Sequence, residues 1–389
     1  MPSTPSYTRQ LRIFPQPNYP LPSKPQPKAP KRRMAVEKAS TIRWGILGAG
    51  WISNKFARSI IVDPQSEDPN TPRHVITAIG SSSIEKGKAF IDPIYKDAGA
   101  EYTGAFYATY EELVADPNVD VVYIGTPHTR HHPDTLLCVR AGKHVLCEKP
   151  IAANHKQGKE MVEAAEAAGV FLMEAIWTRY FDAAIKVREI IAEGTIGQVE
   201  HVVADLSMNF NATDVKSRIL NPELAGGALL DIGIYPLQWV NMILAPLNGG
   251  QDPKVSARFN KHPVTGVDIT TSAVLEYEEA KALATINSSI MYASPSDVIV
   301  YGTKGRLFIE GPSYQAQKLR LKLNDSDDEQ TFDFPYEGNG MRFEADEVAR
   351  KIKEGVRESP VITLKESEQL LRIMDEIRRQ GGLRYPFEV

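Results

Sequence analysis

An apolar run, "VLCEKPIA" (145–152), ends by presenting Glu148 and Lys149 ahead of Pro150. The proline removes a backbone donor and restricts Lys149 to extended geometry, so the amine stands at a strand's carboxyl end. That is where open α/β sheets bind their ligands. A second stretch, "GGALLDIGIYPLQW" (226–239), sets Asp231 and Tyr235 four apart, on one helix face. A phenol acidified by a neighbouring ammonium is a general base near neutral pH, and Lys149 is the ammonium available. Taken singly, each residue also has an ordinary reading: a solvated turn lysine, a capping aspartate, a tyrosine packed in the core.

Two further stretches suggest what this chemistry acts with. "GILGAGWIS" (45–53) ends a strand run and opens a helical one. Gly48 allows the tight turn, and Gly50 lets backbone amides at Trp51 and Ile52 approach a pyrophosphate. Ser53 replaces the third glycine of the dinucleotide pattern. After the next strand run comes "GSSS" (80–83), where an NAD site would place an acid on the ribose hydroxyls. Ser81, Ser82 and Ser83, with Lys86 and Lys88 nearby, instead suit a 2′-phosphate, and NADP is the cofactor expected. A serine-rich helix cap is the plain alternative, and Ser83 suits that role in any case.

"GTPHTRHH" (125–132) holds three histidines in five residues. Without a carboxylate or cysteine at ligand spacing it does not read as a metal site. A loop over the nicotinamide is expected instead, with Thr126, Pro127, His128 and His131 facing the cofactor from one side and Glu148 and Lys149 from the other.

These groups need a scaffold, and the hydrophobic pattern supplies one. Apolar runs at 42–48, 74–80, 120–125, 143–148 and 170–175 alternate with helical periodicity, which predicts a parallel, doubly wound sheet over 41–174. From 254 to 334 strand runs follow one another without helices, and two helices near 341–355 and 365–380 close the chain. That predicts an α/β protein: an N-terminal Rossmann-type dinucleotide-binding domain, then an α+β domain over 175–389 with an open-faced, mostly antiparallel sheet. The final helices have the option of packing back on the first domain. "SAVLEY" (272–277) and "SDVIVYG" (296–302) carry apolar residues at adjacent positions, so both sheet faces are partly apolar and a homodimer through this sheet is expected.

Residues 1–40 form a proline-rich segment read as a disordered tail, with nine prolines before Lys31. Residues 1–38 hold eight Lys or Arg against Glu37 alone, so from a net charge of −4 the rest of the chain carries −11. A mildly acidic body argues against nucleic acid. No apolar run approaches the roughly 20 residues of a membrane span. Cys138 and Cys147 have neither zinc nor disulfide spacing, and a reducing, cytoplasmic setting is expected.

Read together, "GILGAGWIS", "VADPNVDVVYIGTPH", "AGKHVLCEKP", "FLMEAIWTRYF", "NPELAGGALLDIGIYPL" and "GMRFEADE" resemble the glucose–fructose oxidoreductase/inositol dehydrogenase (Gfo/Idh/MocA) family, in its branch of dimeric dihydrodiol dehydrogenases and fungal NADP-dependent D-xylose dehydrogenases. The resemblance spans about 42–385. It implies that Lys149 and Tyr235 are the catalytic pair, that Asp231 supports them, and that Trp177, Arg179 and Tyr180 of "WTRYF" shape a sugar pocket. It further implies oxidation of a cyclic aldose at C1, with D-xylose favoured. A trans-dihydrodiol is the nearer alternative substrate, and a non-catalytic nucleotide-binding regulator is the alternative of another class. Many relatives carry "SRS" after the second strand, with the arginine on the 2′-phosphate; Ser82 takes its place here. The proline-rich tail lies outside the family pattern.

Overall fold

Eleven elements alternate to form the first sheet: β1 (Thr41–Leu47), α1 (Trp51–Ile61), β2 (Arg73–Gly80), α2 (Ile84–Asp97), β3 (Ala105–Tyr107), α3 (Tyr110–Ala115), β4 (Val121–Ile124), α4 (His128–Arg140), β5 (His144–Glu148), α5 (His155–Ala168) and β6 (Leu172–Ala175). The structure is a computed structural model that describes residues 41–64 and 71–388. The expected proline-rich tail over 1–40 lies outside the described residues. The six strands run parallel in the order β3-β2-β1-β4-β5-β6. The order reverses between β1 and β4, and a crevice opens there at the strands' carboxyl ends. β4 and β6 are buried at every position, which is why the sequence shows them as unbroken apolar runs. The short strand β3 and helix α3 have too few residues to show a period, and the hydrophobic pattern does not reveal them.

A 3₁₀ turn, Trp177–Tyr180, leads to α6 (Asp182–Ala192) and β7 (Val199–Ser207). The stretch holding Asp231 and Tyr235 divides into a π-helical turn, Leu229–Gly233, and α7 (Ile234–Leu244). Then come β8 (Lys254–Lys261), β9 (Asp268–Tyr277), β10 (Ala282–Ser289), β11 (Val298–Gly302), β12 (Gly305–Ile309), β13 (Lys318–Leu323) and β14 (Glu329–Asp333). They join β7 in an eight-stranded sheet, β14-β13-β12-β11-β7-β10-β9-β8, in which only β7 and β10 pair in parallel. One face packs on α7, whose residues are almost all buried. The other carries alternating residues exposed to solvent.

The last helices, α8 (Arg342–Glu354) and α9 (Leu364–Gly381), do pack back on the first sheet's layers. His74 of β2 meets Asp346 of α8 at 2.8 Å, and the Arg342 amide donates to Ser59 Oγ of α1 at 3.0 Å. α9 lies against α5 and against β8, so it touches both sheets.

Candidate active site

Lys149 directly follows the last residue of β5, and its peptide bond to Pro150 is cis. Its ammonium, mostly buried, donates to the backbone carbonyl of Asp231 at 2.5 Å. It lies 3.8 Å from Asp231 Oδ1 and 5.2 Å from the centre of the Tyr235 ring. A residue just past a strand end and one in a helical turn, 82 positions apart in the chain, thus meet at the carboxyl end of β5. Asp231 sits in the π-helical turn, a geometry often found at functional sites, and Tyr235 is the second residue of α7.

The electrostatics separate the two acids of this group. Burial works against an ionised Asp231, but Lys149 and Arg218 outweigh it and hold the carboxyl down at about 2. Asp231 is therefore a carboxylate at any working pH. Tyr235 goes the other way. Burial, then the negative field of Glu148, push its phenol well above the ordinary value, although Trp177 Nε1 donates to the hydroxyl at 2.9 Å. The expected acidification of Tyr235 by Lys149 is absent here, because desolvation of the phenolate outweighs one cation 5.2 Å from the ring centre. Glu148 is itself buried, accepting from Tyr123 Oη at 2.6 Å and from the Lys149 amide at 3.2 Å. Burial raises it, against the pull of Lys149.

The nucleotide crevice fits a dinucleotide on its own geometry. Gly48 has φ +88°, and a Cβ there would stand 3.0 Å from Thr126 Cγ2. A Cβ on Gly50, by contrast, would meet only Gly125 O at 3.8 Å, so the space in front of the turn is open. α1 has no side-chain cap, which leaves its opening amides at Trp51 and Ile52 without intrahelical acceptors. Trp51 is 72 % exposed beside them. After β2, however, two of the three serines are already engaged: Ser81 Oγ donates to Ser83 O at 2.6 Å, and Ser83 Oγ caps α2 by accepting from the Lys86 amide. Ser82 and the Lys86 side chain are left exposed to meet a phosphate, while the Lys88 ammonium lies 5.7 Å from the centre of the Phe106 ring.

Several expected positions fall elsewhere. Of "GTPHTRHH", 128–132 open α4, which begins at His128 with Pro127 as its cap, and only 125–127 lie outside regular structure. His131 is fully buried and placed between Thr126 O (2.9 Å) and Pro150 O (2.8 Å), so it ties the two strand ends together and has no face for a cofactor. Burial depresses it to about 4. The Thr126 hydroxyl donates to Asp134 Oδ2 rather than into the crevice. His128 does reach the site: burial, His131 and Lys149 push it down to about 3, so it is a neutral imidazole beside Lys149 and Asp231.

Of the sugar-pocket residues only Trp177 points at the site. Successive residues of a 3₁₀ turn diverge by about a third of a turn. Arg179 therefore runs into the core, 1 % exposed, donating to Gln238 Oε1 at 2.9 Å and Glu366 Oε1 at 3.1 Å, where it joins α7 to α9. Tyr180 turns to Ser359 Oγ and Met173 Sδ. The polar ends of both side chains are thus engaged inside the protein rather than beside Lys149 and Tyr235. Tyr314 takes the vacant side instead, its ring centre 5.6 Å from that of Tyr235 and 6.0 Å from that of Trp177. Arg218, bonded to Asp231, is a further member that no motif marks. Among the described residues no cluster of His, Cys, Asp or Glu could hold a metal ion, and no helix is long and apolar enough to cross a membrane.

A nucleotide crevice at the switch point, with a lysine from the end of β5 and a carboxylate and a tyrosine from the π-helical turn and α7, defines a nucleotide-dependent oxidoreductase. Residues 42–176 match the model of the oxidoreductase family with an NAD-binding Rossmann fold, and 184–308 match the GFO/IDH/MocA C-terminal domain. The chain belongs to this Gfo/Idh/MocA family. It is 38 % identical to the D-xylose 1-dehydrogenase (NADP(+)) of Hypocrea jecorina, covering 91 % of this chain and 95 % of the relative. With the trans-1,2-dihydrobenzene-1,2-diol dehydrogenase of Xenopus laevis it shares 37 % identity, over 88 % and 99 % of the two chains. Among solved structures, the aldose-aldose oxidoreductase of Caulobacter crescentus superposes with a TM-score of 0.74 at 26 % identity, covering 88 % of this chain and 98 % of that one.

Proposed function

We propose that the protein oxidises a cyclic aldose at C1 to the aldonolactone with NADP, D-xylose being the favoured substrate. The observation that carries this reading is the gathering of the Lys149 ammonium, Asp231 and the Tyr235 ring at the carboxyl end of β5. Bound NADP supplies the hydride acceptor. Gly48, Gly50 and the opening amides of α1 would hold its pyrophosphate, with Ser82 and Lys86 on the 2′-phosphate. Lys149 directs its remaining N–H donors at the reacting oxygen and stabilises negative charge there. Tyr235, fixed by the Trp177 N–H, exchanges the proton of that oxygen: it donates in the direction of reduction, and in oxidation it must first lose its own proton. Lys149, 5.2 Å from the ring centre, offsets part of the burial penalty on the phenolate. The first sheet serves the cofactor and the region after about 175 the substrate.

The aromatic rings of Trp177 and Tyr314 flanking Tyr235 also suit a flat cyclohexadiene diol, so trans-dihydrodiol oxidation is the second reading. Retention of both Lys149 and Tyr235 speaks against a regulator without catalysis. A panel of aldoses and trans-diols with NADP and NAD, followed by nicotinamide absorbance, tests all three. Tight cofactor binding with no turnover of any member would overturn the enzyme reading in favour of the regulator.

A homodimer through the open face of the second sheet and a cytoplasmic setting complete the proposal. Val274, Thr285, Val203, Ile299 and Phe308 form a row across five paired strands on that face, and Val274 and Leu283 are 42 % and 47 % exposed. The cytoplasm suits Cys138 and Cys147, both unpaired and buried.

A further inference from the structure

Asp231 lies between two cations and treats them differently. Lys149 Nζ is bonded to its backbone carbonyl, while the nearest carboxylate oxygen is 3.8 Å away, beyond a hydrogen bond. The carboxylate oxygens are taken by Arg218, Nη1 at 2.7 Å from Oδ1 and Nη2 at 3.4 Å from Oδ2. Arg218 comes from residues 208–221, which hold no strand or helix between β7 and a 3₁₀ turn at Pro222–Leu224. Its side chain is 52 % exposed against 7 % for Asp231, so the carboxylate is gripped from the solvent side. His128, neutral, and the protonated Tyr235 offer Asp231 no competing charge, and Glu148 repels it.

We propose that Arg218 is a positioning residue for the reaction: by holding the Asp231 carboxylate it keeps that carboxylate off the Lys149 ammonium, whose donors stay free for the reacting hydroxyl. The proposal rests on the catalytic role of Lys149 proposed above. An ammonium has three donors, and one is already spent on the Asp231 carbonyl. A carboxylate released from Arg218 would close the 3.8 Å gap to a direct ion pair. That would consume a second donor and neutralise much of the charge meant for the oxyanion. A planar guanidinium suits this task, because its fork engages both carboxylate oxygens at once.

The test compares full-length variants with saturating NADP and the best substrate of the panel. Arg218→Ala should lower kcat on the order of tenfold, the worth of one redirected charged hydrogen bond. Cofactor affinity and the circular dichroism spectrum should stay those of the wild type. Guanidinium ion added to Arg218→Ala should restore most of the loss, Arg218→Lys should keep only part of the activity, and the same concentration of sodium chloride should restore nothing. In an Asp231→Asn background Arg218→Ala should cost nothing further. Wild-type kcat in Arg218→Ala, no recovery with lysine or guanidinium, or an equal loss on Asp231→Asn would overturn the proposal. Lys149→Met separates the two readings: if it stays active, the role of Lys149 fails first; if it is dead while Arg218→Ala is normal, only the role of Arg218 fails.

Discussion

Replacing Lys149 with methionine keeps the stem and removes the ammonium, and the structure sets two effects on different scales. The first is chemical. The substrate oxygen loses its cation, and turnover should fall by at least ~10², the usual worth of positioned acid–base apparatus. The second is electrostatic and falls on Asp231, which is held at about 2 by Lys149 and Arg218 against its burial. Aspartate in an unfolded chain titrates near 3.9, so the depressed carboxyl contributes roughly 2 kcal/mol of stability in the wild type. That contribution is complete above about pH 4 and is lost as pH falls towards 2. Without Lys149 only the half-exposed Arg218 remains, and most of the contribution should go. Lys149→Met should therefore unfold at lower denaturant concentration than the wild type at pH 7, with the gap narrowing below pH 4. Steady-state kinetics and urea titrations at pH 7, 5 and 3.5 read both effects. A folded variant with near-normal kcat would refute the catalytic role. A stability gap that widens towards low pH would refute the assignment of Asp231 as the coupled group.

Tyr235→Phe should bind NADP as the wild type does yet lose at least ~10² in kcat, and the Trp177 N–H left without its partner should cost about 1 kcal/mol in urea titrations; retained turnover would remove the tyrosine from the mechanism. Lys86→Glu should weaken NADP while leaving NAD binding little changed, measured by fluorescence titration of both; equal weakening would place the 2′-phosphate elsewhere. Glu344, fully buried with both carboxyl oxygens unpartnered, is pushed well above the usual range by burial and by Glu148. An acid raised in this way loses its contribution as pH climbs from about 4.3, where the unfolded chain ionises, towards the folded value. Glu344→Gln should accordingly gain stability relative to the wild type between pH 5 and pH 8, and a constant difference would show Glu344 ionised.

Local pattern was enough to find the groups that sit on regular elements. Lys149 follows the end of β5, Gly48 and Gly50 join β1 to α1, Asp231 lies in the helical turn before α7, and Tyr235 lies at the start of α7. Each is fixed by a short run whose period or turn chemistry shows in the chain itself. The same pattern gave the parallel sheet and the antiparallel one, because strand runs with and without intervening helices leave different spacings. Direction and partnership are another matter. Whether Arg179 and Tyr180 face the substrate or the core depends on a 3₁₀ turn and on Gln238, Glu366 and Ser359, which lie far along the chain. His131 looks like a ligand-facing residue until two carbonyls close on it. The proton affinity of Tyr235 is set by a buried environment that includes Glu148 and Trp177, so the lowered pKa expected from the sequence has the opposite sign in the structure. Arg218 and Tyr314 carry no motif at all; they enter the site from segments without a period, placed there by packing. A sequence specifies residue type and local geometry, whereas desolvation and long-range pairing arise only when distant segments exclude water together.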